Sequence, residues 1–187
     1  YLYNSRDLNL LPLIGQIMNL DVQALKIEGR NRTPLYVATI TRAYRRAVDA
    51  LVADPASFKL DAELLADVTR VSHREYFTGF FDGPPVKDAM RYSANRHKQS
   101  HHLAAKVVGT NGKRTVLEAR NPLIEGMLLT WLNPAGADET FVLQNALADG
   151  QPVSRIKPNQ IFELELPFRP AAGQLLRKPY SEGDKVL

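Results

Sequence analysis

The apolar positions of the first sixty residues switch between two periods. Leu10, Leu13, Ile14, Ile17 and Met18 recur at the spacing of one helix face, with Pro12 tolerated in the first turn and Asn9 placed to cap it. Before this helix "YLYNS" reads as the end of a strand, and after it "VQALKI" reads as a second strand. Thr33 and Pro34 then supply an N-cap and a first-turn proline for a second helix, in which Leu35, Ala38, Tyr44, Val48 and Leu51 form the apolar stripe. Arg42, Arg45, Arg46 and Asp49 are expected to point elsewhere, and the arginine trio offers either phosphate contacts or a solvated outer face. Strand and helix alternating in this way predict βα units and a parallel sheet.

"DAELLADVTRV" predicts a third, short helix with an acidic first turn, and the aromatic "SHREYFTGFFDGPP" behind it ends in a Gly-Pro-Pro stop. From about residue 101 the pattern becomes short and alternating. "LAAKVVG", "RTVLEAR", "GMLLTWL", "ETFVLQ" and "IFELELP" read as strands, with Trp131 in their core; "TNGK", "NPAG" and "ADGQP" read as turns. The expected division is therefore 1–60, a partial βα region; 61–100, a helical and aromatic connector with a basic linker; and 101–187, an all-β barrel or sandwich.

Composition changes this picture in two places. The chain has 187 residues, 44% hydrophobic and 24% charged, and contains no cysteine, so disulfides, thiolate metal sites and cysteine nucleophiles are excluded for it. Its net charge of +4 is concentrated in the middle: residues 84–120 hold eight Lys and Arg against two Asp and Glu, while the flanking parts hold ten against ten and six against eight. Lys87, Arg91, Arg96, Lys98, Lys106, Lys113, Arg114 and Arg120 are thus candidates for holding a polyanion such as RNA, against the plainer reading of a solvated linker. No apolar run has the ~20 residues that a membrane-crossing helix needs, so no membrane partner is expected and the cytoplasm is the expected location. The start at Tyr1, without methionine, reads as a piece of a longer protein.

The densest chemistry lies in "ALKIEGRNRTPLYV". On a strand Leu25 and Ile27 share one face and Lys26 and Glu28 the other. If the apolar pair meets the helices, the charged pair projects inward near the carboxyl end of a parallel sheet, beside Asn4, Ser5, Arg6 and Asp7 at the end of the preceding strand. Opposite charges there make either a structural ion pair or a site, and Gly29 permits close backbone approach. Elsewhere, His97, His101 and His102 in "HKQSHH" fit no zinc spacing and read as linker. His73 reads as packing. Tyr76, Phe77, Phe80 and Phe81 read either as base-stacking groups or as glue between domains.

"YNSRDLNLL", followed at matching spacing by "ALKIEGRNRTPLYVATITRAYRRAVD", and then "HREYFTGFF" and "GQLLRKP", resembles the collagenase-like peptidase family U32, and within it the tRNA hydroxylation branch. The resemblance covers essentially the whole chain, with Arg6 where the family usually has Lys. It implies the last two βα units of a TIM-like barrel, a connector and a C-terminal small β-barrel domain. It also implies Lys26, Glu28, Arg30, Asn4 and Asp7 as catalytic groups at the barrel mouth and tRNA as partner; of the basic middle residues, Arg91, Arg96, Lys98, Lys106, Lys113 and Arg114 are then the expected RNA contacts by their charge. The family's activities are oxygen-independent hydroxylation of RNA bases, with prephenate as the hydroxyl source; hydroxylation of the ubiquinone ring; and, in an older reading, collagen proteolysis. No cofactor is expected in this chain. An iron–sulfur cluster would be held by cysteines upstream of the Asn-Ser-Lys-Asp block, outside it, so the chain alone is expected to be inactive and to pair with a second copy through its incomplete barrel. The alternatives are a non-catalytic RNA- or protein-binding module and a peptidase, although no Gly-x-Ser-x-Gly or His-Glu-x-x-His motif is present.

Overall fold

A computed structural model describes residues 6–81, 83–84 and 98–180. The chain divides into two units, Tyr1–Ser100 and His101–Leu187, so residues 61–100 lie with the first sixty. "YLYNS" and residues 85–97 fall outside the described residues.

In the first unit Asp7–Leu8 (β1) is followed by a single 3-10 turn, Leu11–Leu13, and by α1, Ile14–Met18. The expected Asn9 cap is not formed: the N-cap positions are Leu10 and Leu13, and Asn9 Oδ1 instead accepts from the Leu11 N–H two residues on, at 3.1 Å. The expected strand at 22–27 is corrected: these residues form no ladder and run as open chain with Val22 and Leu25 exposed. An extended segment becomes a strand only when a neighbour takes its N–H and C=O groups, and the described residues offer it none.

The second helix, α2 (Pro34–Ala53), starts where Thr33 and Pro34 predict, with Thr33 Oγ1 accepting from the Tyr36 N–H at 3.2 Å. Its buried face is Leu35, Tyr36, Thr39, Ile40, Ala43 and Ala47, rotated from the expected stripe. Arg42 is consequently not on the outer face. It pairs with Asp67 of α3 (Ala62–Arg70), itself only 2% exposed and also bonded by Arg70 Nη1 at 2.8 Å. A carboxylate so deeply buried is tolerable because cations meet it from both helices. Asp61 caps α3 through the Glu63 N–H at 2.8 Å. The chain then returns to pair Tyr76–Phe77 (β2) in parallel with β1, Asp7 opposite Tyr76.

The second unit is all β, as the alternation predicts. Its strands are β3 (His101–Asn111), β4 (Arg114–Ala119), β5 (Leu123–Ile124), β6 (Leu128–Trp131), β7 (Glu139–Val142), β8 (Leu147–Ala148), β9 (Gln151–Pro152), β10 (Arg155–Ile156), β11 (Ile161–Glu165) and β12 (Leu175–Pro179). Eight of them form one antiparallel sheet in the order β7-β6-β12-β3-β4-β11-β8-β9, and β5 pairs with β10. The expected β-barrel domain is an open half-barrel, with β7 and β9 as edges among the described residues. Register breaks at Val107/Gly109 and at Leu176/Arg177 bend the central strands. The core is Val107, Leu117, Leu123, Leu129, Trp131, Leu143, Ile156, Phe162, Leu164 and Leu176 with four small alanines, and Phe168 stacks on Trp131 at 4.8 Å.

Two hairpins show how turn chemistry fixes the register. Asp149 and Gly150 both have positive φ, 50° and 74°, joining β8 to β9 as an Asp-Gly turn of the kind that matches strand twist. In "TNGK" the central pair is Gly112 and Lys113, since Asn111 pairs with Arg114; Gly112, at φ 58°, takes the position that asks for glycine. His101 and His102, expected in a linker, instead open the long strand β3, where His102 stacks on Tyr180 at 5.1 Å.

Candidate functional site

The end of β1, the open chain 24–32, the first turns of α2 and the start of β2 surround a groove of about 990 Å³. Its lining is unusual in charge. Arg6, Lys26, Arg30, Arg32 and Arg74 face it together with Asp7 and Glu28, and Tyr36, Tyr44 and Tyr76 complete the wall.

Asp7 is the hub of this wall. It is 7% exposed and accepts from Arg32 Nη2 at 2.6 Å, Arg74 Nε at 3.0 Å and the Arg74 N–H at 2.9 Å. Burial pushes its carboxyl up, but the Arg74 and Arg32 bonds outweigh burial and hold it below the usual carboxylate range. Arg32 is tied at every side: Nη1 reaches the Ser72 carbonyl at 3.3 Å, and the guanidinium lies 4.8 Å from the Tyr36 ring centre. A single side chain thus joins the open chain, β1, α2 and the segment before β2.

The tyrosines divide by what their hydroxyls do. Tyr76 donates to the Val68 carbonyl at 2.9 Å, and burial holds its phenol far above the usual range. Tyr44 accepts from the Leu10 N–H at 2.9 Å and donates to Asn9 Oδ1 at 3.3 Å. Tyr36, 9% exposed, makes no hydroxyl hydrogen bond among the described residues. Its phenol is raised by burial, against the lowering effect of Arg32. Behind this wall His73 is buried, its Nδ1 2.8 Å from the Val71 carbonyl and its ring stacked on Tyr76 at 4.5 Å.

Of the residues singled out from sequence, Asp7, Lys26, Glu28 and Arg30 line this groove, and Asn4 lies outside the described residues. Their expected orientation is corrected. Lys26, Glu28 and Arg30 are exposed rather than turned into a barrel interior, because no sheet at 22–27 fixes alternate faces. Lys26 and Glu28 form no ion pair; Glu28 Oε1 instead accepts from the Arg30 N–H at 3.1 Å. Arg32, Arg74 and Tyr36 line the groove without having been among the site residues expected from sequence. Their partners lie 25 to 67 positions away for Asp7, a separation no local pattern encodes.

The basic candidates are dispersed. Lys87, Arg91, Arg96 and His97 lie outside the described residues. Lys98 is exposed, its backbone bridged to His73. Lys106 on β3 stands opposite Glu118, which also takes Arg120 at 3.1 Å; Lys113 sits in the hairpin turn; Arg114 stands opposite Glu165 and reaches the Asn145 carbonyl at 3.4 Å. Among the described residues no cluster of three or more His, Cys, Asp or Glu is placed to hold a metal, and no helix is long and apolar enough to cross a membrane.

The segment that builds the groove is the one that comparison recognises. Residues 1–91 match the model of peptidase family U32. The groove-bearing residues of this chain are thus similar to that family. Among named relatives, tRNA hydroxylation protein P1 of Bacillus subtilis is 26% identical over 179 residues, which is 94% of this chain and 42% of that protein. tRNA hydroxylation protein P of Escherichia coli is 27% identical over 160 residues, 82% of this chain and 34% of that protein. The chain therefore spans well under half the length of these relatives. A collagenase of Porphyromonas gingivalis is 27% identical over 104 residues, 55% of this chain and 29% of that protein. A solved C-terminal domain of a U32 peptidase from Geobacillus thermoleovorans aligns with a TM-score of 0.39 and 18% identity, covering 41% of this chain and 99% of that one.

Proposed function

We propose that this chain is the C-terminal part of a tRNA-modifying U32 protein, one that hydroxylates a uridine. The observation that supports this most is the match to a tRNA hydroxylation protein along 94% of the chain, running through both units. In this reading the groove of the first unit is one wall of the reaction pocket, and the TIM-like barrel is completed by chain outside these residues. A small carboxylate such as prephenate serves as hydroxyl donor. The β unit and the basic middle segment help to hold the RNA, in the cytoplasm. With no cysteine and no metal-ligating cluster among the described residues, this chain does not fit an iron–sulfur cluster, and any cluster would be held elsewhere in the full protein.

The test is nucleoside mass spectrometry of tRNA from cells with and without the full-length protein. Loss of a hydroxylated uridine on deletion, restored by the intact gene and not by these 187 residues alone, is the expected result. Unchanged tRNA in the deletion strain would reject the reading. The collagenase relative favours a second reading, peptidase activity, for which gelatin zymography of the full protein is decisive; we expect no clearing. Exposed Leu8, Leu20 and Phe80 in the first unit also support self-association, and a monomer by light scattering at working concentration would count against it.

A further inference from the structure

We infer that the second unit carries a binding site for an unpaired guanine base, built by Phe141, Arg114, Glu165 and Gln144. The inference rests on the RNA reading above only for the source of the base. The chemistry of the site selects guanine, and the two fail separately.

The start of β4, the end of β7 and the end of β11 enclose a cavity of about 420 Å³ within the second unit. Its apolar lining includes Leu164, 1% exposed, with Pro167 and the half-buried Phe141. The Phe141 ring is held in place, since it meets Phe168 edge-on at 5.7 Å and Phe168 stacks on Trp131 at 4.8 Å. A ring fixed in this way is a platform for a flat ligand, because little freedom is lost when the ligand covers it.

The polar groups choose among flat ligands. Arg114 and Glu165 both line the cavity and stand directly opposite each other in the β4–β11 register, which sets their Cβ atoms roughly 5 Å apart. Neither makes an ion pair among the described residues; Arg114 has one long bond, from Nη1 to the Asn145 carbonyl at 3.4 Å. A carboxylate and a guanidinium side by side at a cavity ask for donors and an acceptor side by side on one edge of the ligand. Guanine has that edge: N1–H and the N2 amine donate to a carboxylate, and the adjacent O6 accepts from a guanidinium. Adenine, cytosine and uracil lack the two neighbouring donors. Gln144, also at the cavity and without a side-chain hydrogen bond among the described residues, adds one more donor and acceptor. A free amino acid could meet both charges as a zwitterion, but it would have to bring two charges of its own out of water, which a neutral base avoids.

The test is a nuclear magnetic resonance titration of the 187-residue chain with guanosine, inosine, adenosine, uridine and L-phenylalanine. Guanosine is expected to move the amide signals of Phe141, Gln144 and Glu165 at millimolar concentration. Inosine, which lacks only the N2 amine, binds roughly tenfold more weakly, the discrimination expected of one lost bond in a bidentate pair. Glu165→Gln, an exposed position outside the core, removes most of the advantage of guanosine over inosine and leaves adenosine unchanged. Arg114→Gln weakens guanosine a few-fold, Phe141→Leu weakens every nucleoside, and Arg155→Gln on β10 alters none. Circular dichroism establishes that Phe141→Leu is folded; should it not be, the guanosine-to-inosine ratio and Glu165→Gln still decide. A pentanucleotide with one guanine among uridines should show the same preference over its inosine counterpart. Equal binding of guanosine and inosine, a preference unmoved by Glu165→Gln, or tighter binding of L-phenylalanine overturns the inference. The nucleoside analysis of tRNA described above separates the two readings. A chain blind to guanine whose deletion still removes a hydroxylated uridine loses this site and keeps the tRNA reading, and guanine binding with unchanged tRNA does the reverse.

Discussion

Asp7 shows how one carboxylate can set both the stability and the charge of a site. Its pKa is lower in the folded chain than in the unfolded one, so the network stabilises the first unit fully above the ordinary carboxylate value near 3.8. That contribution is lost as pH falls through the lower, folded value. Asp7→Asn removes the buried charge that both Arg32 and Arg74 bond and is expected to cost about 3 kcal/mol at neutral pH. Thermal melts followed by circular dichroism should show the gap between variant and wild type closing as the pH is taken below that window; a constant gap would mean that Asp7 acts through shape alone. Gly29 poses a different constraint. A Cβ there would sit 2.7 Å from Val37 Cγ2, so Gly29→Ala must push the open chain off α2 or turn Val37. We expect a loss of about 1 to 3 kcal/mol, most of it recovered in the Gly29→Ala, Val37→Ala double variant. Equal losses in the single and double variants would place the cost in the glycine backbone instead.

At the scale of elements, what the sequence reveals depends on how locally each element is determined. The cap of α2 is written in two adjacent residues, and Thr33→Ala should lower the melting midpoint by the equivalent of about 1 kcal/mol, with Thr33→Ser near neutral. The strands β4, β6 and β11 alternate cleanly because one face of their sheet meets the core of Leu117, Leu129 and Phe162. Strand β12 escapes that reading. In "LLRKP" the two apolar residues are followed by Arg177 and Lys178, buried at 3% and 2%, Arg177 bonded to Asp138 at 2.9 Å and Lys178 to the Pro122 carbonyl at 3.2 Å. Buried cations look like surface until their partners, 39 and 56 positions away, are known. The segment 22–27 fails in the opposite sense: its composition suits a strand, but a strand is a relation between two segments, and composition states only one side of it. The candidate site follows the same rule. Lys26, Glu28 and Arg30 were legible as a charged cluster, whereas the Asp7–Arg32–Arg74 network that organises the groove joins three distant stretches of chain.

At the scale of the whole molecule, the question is whether the excess positive charge of the middle segment acts as one surface. In sequence, residues 84–120 look strongly basic, but the antiparallel sheet sets their described members beside acids from other strands. Arg120 bonds Glu118, Lys106 stands opposite Glu118 in register, and Arg114 stands opposite Glu165. If RNA lies across β3 and β4, each cation gives up an acidic neighbour to a phosphate, and the counterions released per contact fall below those of an isolated lysine. Glu118→Gln should therefore tighten tRNA binding and steepen its dependence on salt, by a slope change of up to roughly one for Arg120 set free. Lys113→Ala, in an exposed turn with no acid opposite it, should flatten the slope by a similar amount. The measurement is tRNA affinity by filter binding from low to physiological salt for the three proteins. If Glu118→Gln leaves both affinity and slope where they were, the sheet face of the second unit does not meet the phosphate backbone, and RNA contact must come from elsewhere in the chain.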